Sequence, residues 1–171
     1  MDAAGIERDF ERRLALLEDE RAILRRLYSY PPAIDYGGGG AWANCFTEDG
    51  IFDVRDRSGT TSRVLRGRAE LADFAARFSR PPERWHKHLV IEPLIDVEGQ
   101  IAHASSYFAV LVEHDGAPRL WVFGRYHDTL AKDTDGAWRF RERIVEVESV
   151  DREVPPLANT HEPGRAVVRG E

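Results

Sequence analysis

Cysteine is nearly absent: Cys45 is the single one in 171 residues. That excludes an intramolecular disulfide and any cysteine-built metal cluster. A lone thiol of this kind is expected as a small buried apolar residue. Long apolar runs are missing too. None approaches the ~18 residues of a membrane-spanning helix, and no apolar signal core opens the sequence, so a cytoplasmic protein away from membranes is expected. Positive charge is in deficit. Lys and Arg number 24 against 30 Asp and Glu, a net charge of −6, which argues against nonspecific nucleic-acid binding. The glycines at 37–40 lack the following Gly-Lys-Ser/Thr of a phosphate loop. Asn159-Thr160-His161 is not a glycosylation acceptor, because Ser or Thr is missing at its third position. No internal repeat or low-complexity block is present.

What remains is an ordinary globular composition, 42% hydrophobic and 32% charged, and a length that suits one domain. Residues 1–13 are charged and expected to be loosely held. Leu14, Leu17, Ile23, Leu24, Leu27 and Tyr28 roughly follow helical spacing. Pro31-Pro32 should kink or end that helix, leaving Asp35 at its end. The glycines at 37–40 form a local loop. Residues 41–46 form one or two more helical turns, closed by Glu48-Asp49-Gly50. A short strand over 51–55 precedes a polar loop at 56–61. Leu71, Phe74, Ala75 and Phe78 mark a compact amphipathic helix, stopped by Pro81-Pro82.

Four strands are predicted next, over 86–97, 101–113, 119–132 and 137–150. Glu98-Gly99, Asp115-Gly116 and Asp135-Gly136 supply the turns, and such short connections imply antiparallel neighbours. Helices first and a meander afterwards give an α+β fold. The sheet should curl into a cone whose concave face the helices cover. Residues 14–150 form the domain. The tail, 151–171, with its two proline-rich points, is expected as an arm over a neighbouring subunit or as disorder.

The order of elements, together with specific residues, resembles the SnoaL-like branch of the nuclear transport factor 2-like superfamily. The matching stretches are 27–35 followed by Cys45-Phe46-Thr47-Glu48-Asp49-Gly50, and His88 before Ile91 and Ile95. Gly124-Arg125-Tyr126-His127-Asp128 and Asp135-Gly136-Ala137-Trp138-Arg139-Phe140 complete them. Within the superfamily the chain looks most like cofactor-free lyases: scytalone dehydratase, bile-acid dehydratases and hexachlorocyclohexane dehydrochlorinase. The resemblance implies an Asp–His pair inside the cone, with Asp35 and His88 at the matching positions. Tyr30 falls where those enzymes place a pocket tyrosine or lysine, and Arg143 matches the arginine of the dehydrochlorinase. Tyr126 is expected on the pocket side of its strand. Phe52, Phe108 and Val122 are expected as pocket lining or core.

The chemistry follows from the residue types. An aspartate beside a histidine fixes the imidazole tautomer and stabilises the imidazolium that forms. His86, two residues before His88, shares its strand face by alternation and is the alternative base. The two histidines could also bind a metal, but the sequence offers no third ligand, so no metal or cofactor is expected. The resemblance implies a dehydratase-like elimination on an apolar, oxygenated small molecule, with isomerisation or cyclisation open to the same groups. Other classes stay in view: a noncatalytic subunit resembling the β subunits of ring-hydroxylating dioxygenases, or a small-molecule-binding module.

An assembly is expected as well. Trp121, Phe123, Trp138, Phe140 and Ile144 put large apolar groups on both faces of the last strands, so the outer face needs cover. A homo-oligomer, dimer or trimer, follows. Alternation makes the arrangement conditional: if Arg143 points into the pocket, Trp138 and Phe140 point outward into the interface.

Overall fold

Helix α1 (Ala3–Asp35) continues through Pro31 and Pro32 without ending there. The expected break at these prolines does not occur. A proline removes one donor and crowds the carbonyl four residues back, but here only one turn follows, so the loss stays within the final turns. The end is secured instead by the N–H groups of Tyr36 and Gly37, which both return to the Pro32 carbonyl at 3.1 and 3.2 Å. Asp35 is therefore delivered by a continuous helix. Ile23, Leu27, Tyr30 and Ile34 form its buried stripe at four- and three-residue spacing. The helix also begins well before Leu14, and its first turns are exposed. The computed structural model describes residues 3–157.

Helix α2 (Gly39–Ala43) takes up half of the glycine run. Strand β1 (Phe46–Asp56) includes Glu48-Asp49-Gly50, expected as the close of a helical turn. Strand β2 (Thr61–Arg66) follows, where only the end of a polar loop was expected. The Asp56 carboxylate tightens that loop by accepting the N–H groups of Ser58 and Thr60, and the chain can then turn back on β1. Helix α3 (Gly67–Ala76) carries Leu71 and Ala75 into the core. The remaining strands are β3 (His86–Glu98), β4 (Ile101–His114), β5 (Ala117–Lys132) and β6 (Trp138–Val150).

The sheet order is β2-β1-β6-β5-β4-β3. From β3 to β6 the pairing is antiparallel, as the short turns imply. The β1–β6 pair is parallel, a departure from a wholly antiparallel sheet. The result is α+β, a curved and unclosed six-stranded sheet with the helices against its concave face. Register shifts break every strand pair, and such bulges bend strands and increase twist. At one of them Gly124 meets β6 so closely that a Cβ there would lie 2.0 Å from the Glu146 carbonyl oxygen. Only glycine allows that approach.

One bulge overturns the expected facing of β6. Thr129 lies opposite Glu142 and Leu130 opposite Phe140, so Arg141 is the extra residue. Alternation changes phase across it. Trp138, Phe140, Arg143 and Val145 are all buried within the chain. Trp138 and Phe140 thus do not point outward as a consequence of Arg143 pointing in. They are core, and the Trp138 indole N–H donates to Asp19 on α1 at 2.9 Å.

The segment after β6 returns over its own chain. Val154 and Leu157 are buried. Arg84 donates to the carbonyls of Pro155 and Pro156 at 2.5 and 2.6 Å. Residues 151–157 are therefore not an arm reaching away from the domain. The rest of the expected arm, 158–171, lies outside the described residues.

Candidate active site

The last turn of α1 and the first residues of β3 meet at Asp35 and His88. Asp35 Oδ2 accepts the His88 backbone N–H at 2.9 Å, and Asp35 Oδ1 lies 2.5 Å from His88 Nδ1. Both carboxylate oxygens are thus committed to one residue. An ionised carboxylate only accepts hydrogen bonds, so the ring proton belongs on Nδ1. Nε2 is left with its lone pair free. His88 lines a cavity of about 280 Å³, while Asp35 lies buried behind it. The dyad expected from sequence is assembled, across 53 residues of chain.

His86 occupies the deeper position. Its side chain is fully buried, with Nε2 3.4 Å from Asp35 Oδ1 and its ring 5.8 Å from that of His88. Neither ring nitrogen has a hydrogen-bond partner among the described residues. Burial drives its pKa down to about 4 against the pull of Asp35, so it is neutral near pH 7. It does not line the cavity, which leaves His88 as the histidine facing a ligand. Asp35 is the third ligand atom that the sequence did not offer. With His86 and His88 it makes a set whose ligand atoms all lie within 4.8 Å of one another. Two ligands of one metal at ~2.0–2.1 Å stand about 3 Å apart or more. The 2.5 Å contact between Asp35 and His88 is therefore the geometry of a hydrogen-bonded dyad, which a bound ion would have to open.

Tyr30, Tyr126, Phe52, Phe108 and Val122 all line the cavity beside His88. Tyr126 stacks on Phe108 with ring centroids 4.5 Å apart, and Tyr30 stands edge-on to Tyr126 at 6.0 Å. Burial pushes the Tyr30 hydroxyl up to about 12, against the opposing pull of Arg143, and raises Tyr126 well above its ordinary value. Both remain O–H donors at neutral pH. Sequence analysis missed Trp42, Phe74, Phe78, Trp121 and Leu157 as walls. Their apolar character gave no signal that separates wall from core.

Arg143 is behind the wall rather than in it. Its Nε and one Nη grip Asp128 at 2.8 and 2.7 Å, and both side chains are fully buried. The guanidinium carbon lies 4.1, 4.0 and 4.1 Å from the ring centres of Tyr30, Tyr126 and Phe140. It does not line the cavity, whereas contact with the substrate is expected from sequence. It underlies both tyrosine rings instead. A larger groove of about 510 Å³ opens elsewhere, lined by residues such as His103, His127 and Glu142. It holds none of the dyad, and its lining is as polar as it is apolar, so the smaller cavity is the candidate site.

Comparison with known proteins agrees with this architecture. No curated protein matches the sequence significantly. A protein of unknown function from Mycobacterium tuberculosis is 29% identical, with a TM-score of 0.67, covering 82% of this chain and 75% of that one. A β subunit from Novosphingobium aromaticivorans, of a candidate aromatic-ring-hydroxylating dioxygenase, is 20% identical with a TM-score of 0.69, over 80% and 94% of the two chains. ActVI-ORFA from Streptomyces coelicolor is 23% identical with a TM-score of 0.63, over 75% and 96%. The last two likenesses concern the fold alone. Residues 15–144 match the SnoaL-like domain, and the chain belongs to that family.

Proposed function

We propose that the protein is a cofactor-independent lyase acting by general acid–base catalysis on an apolar, oxygenated small molecule. The observation that carries this reading is the 2.5 Å Asp35–His88 contact at the edge of an open-mouthed, largely apolar cavity. His88 Nε2 takes a proton from a carbon next to a carbonyl. The C–H electron pair becomes the new double bond, and a hydroxyl on the neighbouring carbon departs. His88 returns the proton to that oxygen, releasing water. Asp35 holds the ring and offsets its transient charge. The Tyr30 or Tyr126 hydroxyl donates to the carbonyl or leaving oxygen, where preset donors stabilise developing charge. Isomerisation and cyclisation use the same first proton transfer.

The test targets that shared step. Apolar ketones that raise the melting temperature are incubated with the protein in D₂O, and the α-carbon is followed by NMR. Enzyme-dependent deuterium uptake is expected with the wild-type chain and not with His88→Asn. Uptake at equal rates with both sinks the assignment.

The protein is further proposed to be a homo-oligomer joined through the outer face of the sheet. Leu89, Ile91, Leu94, Tyr107, Leu111 and Phe123 are all exposed there, and monomers rarely leave a contiguous apolar patch of this kind uncovered. Light scattering at micromolar concentration should give a dimer or trimer mass. A monomer counts against it. The noncatalytic-subunit alternative draws on the fold likeness to the dioxygenase β subunit, and requires a larger partner chain on that same face.

A further inference from the structure

Within an acidic chain of net charge −6, one stretch is basic. Residues 61–85 hold six arginines, Arg63, Arg66, Arg68, Arg77, Arg80 and Arg84, against three acids, Glu70, Asp73 and Glu83. This stretch spans β2, α3 and the loop into β3, and it supplies Phe74 and Phe78 to the cavity wall. Its cations differ in what they face. Arg68 pairs with Glu48 and holds the Phe46 carbonyl. Arg80 and Arg84 are spent on backbone carbonyls. Arg63 lines the cavity itself.

Arg63 is positioned rather than merely nearby. It pairs across the sheet edge with Val54, another wall residue. Its guanidinium carbon lies 5.1 Å from the centre of the Phe74 ring, a cation–π placement that holds the group against the wall. Among the described residues it forms no ion pair or hydrogen bond. Glu70 and Asp73 line a second depression together with it and Phe74. Neither comes within ion-pair distance, and Glu70 instead accepts the Arg66 backbone N–H at 2.8 Å. Every other cavity wall is an apolar side chain, apart from the two tyrosines and His88. One cation with open donors at the rim of an apolar cavity is the arrangement that recognises an apolar molecule ending in an anion.

Resting on the proton-transfer reading above, we infer that the substrate is an apolar acid whose carboxylate is held by Arg63 at the rim while its reacting carbon lies at His88. The planar guanidinium offers two parallel N–H donors to a carboxylate, which a lysine could not reproduce. The surrounding arginine excess would draw such an anion to the mouth despite the overall negative charge.

The experiment compares two probes of one shape, 2-naphthoate and neutral 2-naphthamide, by calorimetry, with quenching of the cavity tryptophans Trp42 and Trp121 as a second readout. Wild-type protein is expected to bind the naphthoate about tenfold or more tightly than the amide, the usual scale of a charge-assisted pair. Arg63→Gln should lose that preference and keep the amide affinity. Arg63→Lys should keep part of it. Arg77→Gln, altering a neighbouring arginine outside the cavity, should keep nearly all of it. Equal affinity for the two probes, failure of the naphthoate to bind, or loss of preference in Arg77→Gln as large as in Arg63→Gln overturns the proposal. None of these outcomes touches the base assignment, which rests on His88→Asn and deuterium uptake.

Discussion

Asp128→Ala should cost roughly 3–5 kcal/mol of folding stability, the scale for stripping one partner from a buried ion pair. Arg143 has nowhere else to turn. Its side chain is fully buried, and its remaining Nη already lacks a partner among the described residues. The three rings around it attract the cation but accept no strong hydrogen bond. Without Asp128, a full charge would stand in the core. Burial pushes the Asp128 carboxyl upward in pKa while Arg143 pulls it down, so the pair is stable only as a pair. Asp128→Leu combined with Arg143→Met should recover most of the loss, because two apolar groups leave no charge behind. Urea unfolding of the three variants measures this. A loss below ~1 kcal/mol for Asp128→Ala, the range of a surface pair, would show that the interior is wetter than its burial implies.

His88→Ala should keep the fold and reduce turnover by ~10²–10⁴, the usual contribution of a positioned base. Asp35→Asn should lose a comparable factor by a different route. An amide at residue 35 can turn its NH₂ toward Nδ1, which then must accept rather than donate. The ring proton moves to Nε2, and the nitrogen left free of Asp35 can no longer take one. The two variants separate on ligand affinity. His88→Ala deletes a wall contact, whereas Asp35→Asn leaves the wall in place, so its loss should fall on kcat with little change in KM. Wild-type-like turnover by folded His88→Ala would remove the catalytic assignment. An Asp35→Asn variant altered only in KM would remove the orienting role.

Much of the architecture is legible from local chemistry. Asp115-Gly116 and Asp135-Gly136 place glycine where φ is positive, so the hairpins announce themselves. Asp35 and His88 are different. Nothing in their spacing shows that they meet, and only the likeness to a known fold joined them. Other features were hidden because their causes are not local. The α1 helix survives Pro31-Pro32 because packing of its buried stripe holds the end in place. Strand β2 has three exposed polar residues at its start and gains its conformation by pairing with β1. Arg63 carries no pattern at all. It matters only because Phe74, from a helix further on, folds beneath it.

The extra residue at Arg141 changes the reading frame of β6. Odd and even positions exchange meaning there: before it, even-numbered residues face the core, and after it, as far as Val147, odd-numbered ones do, until a second extra residue at Glu148 returns Val150 to the cavity side. A single deletion in the regular stretch that follows would therefore act like a frameshift in space. Removing Ile144 would turn Val145 and Val147 to solvent and Glu146 inward, whereas removing Arg141 itself would close the bulge and leave Arg143 and Val145 facing the core. Length along this strand is as much a constraint as side-chain chemistry, and variants that remove one residue should be tolerated least between Arg143 and Val147 and best at Arg141.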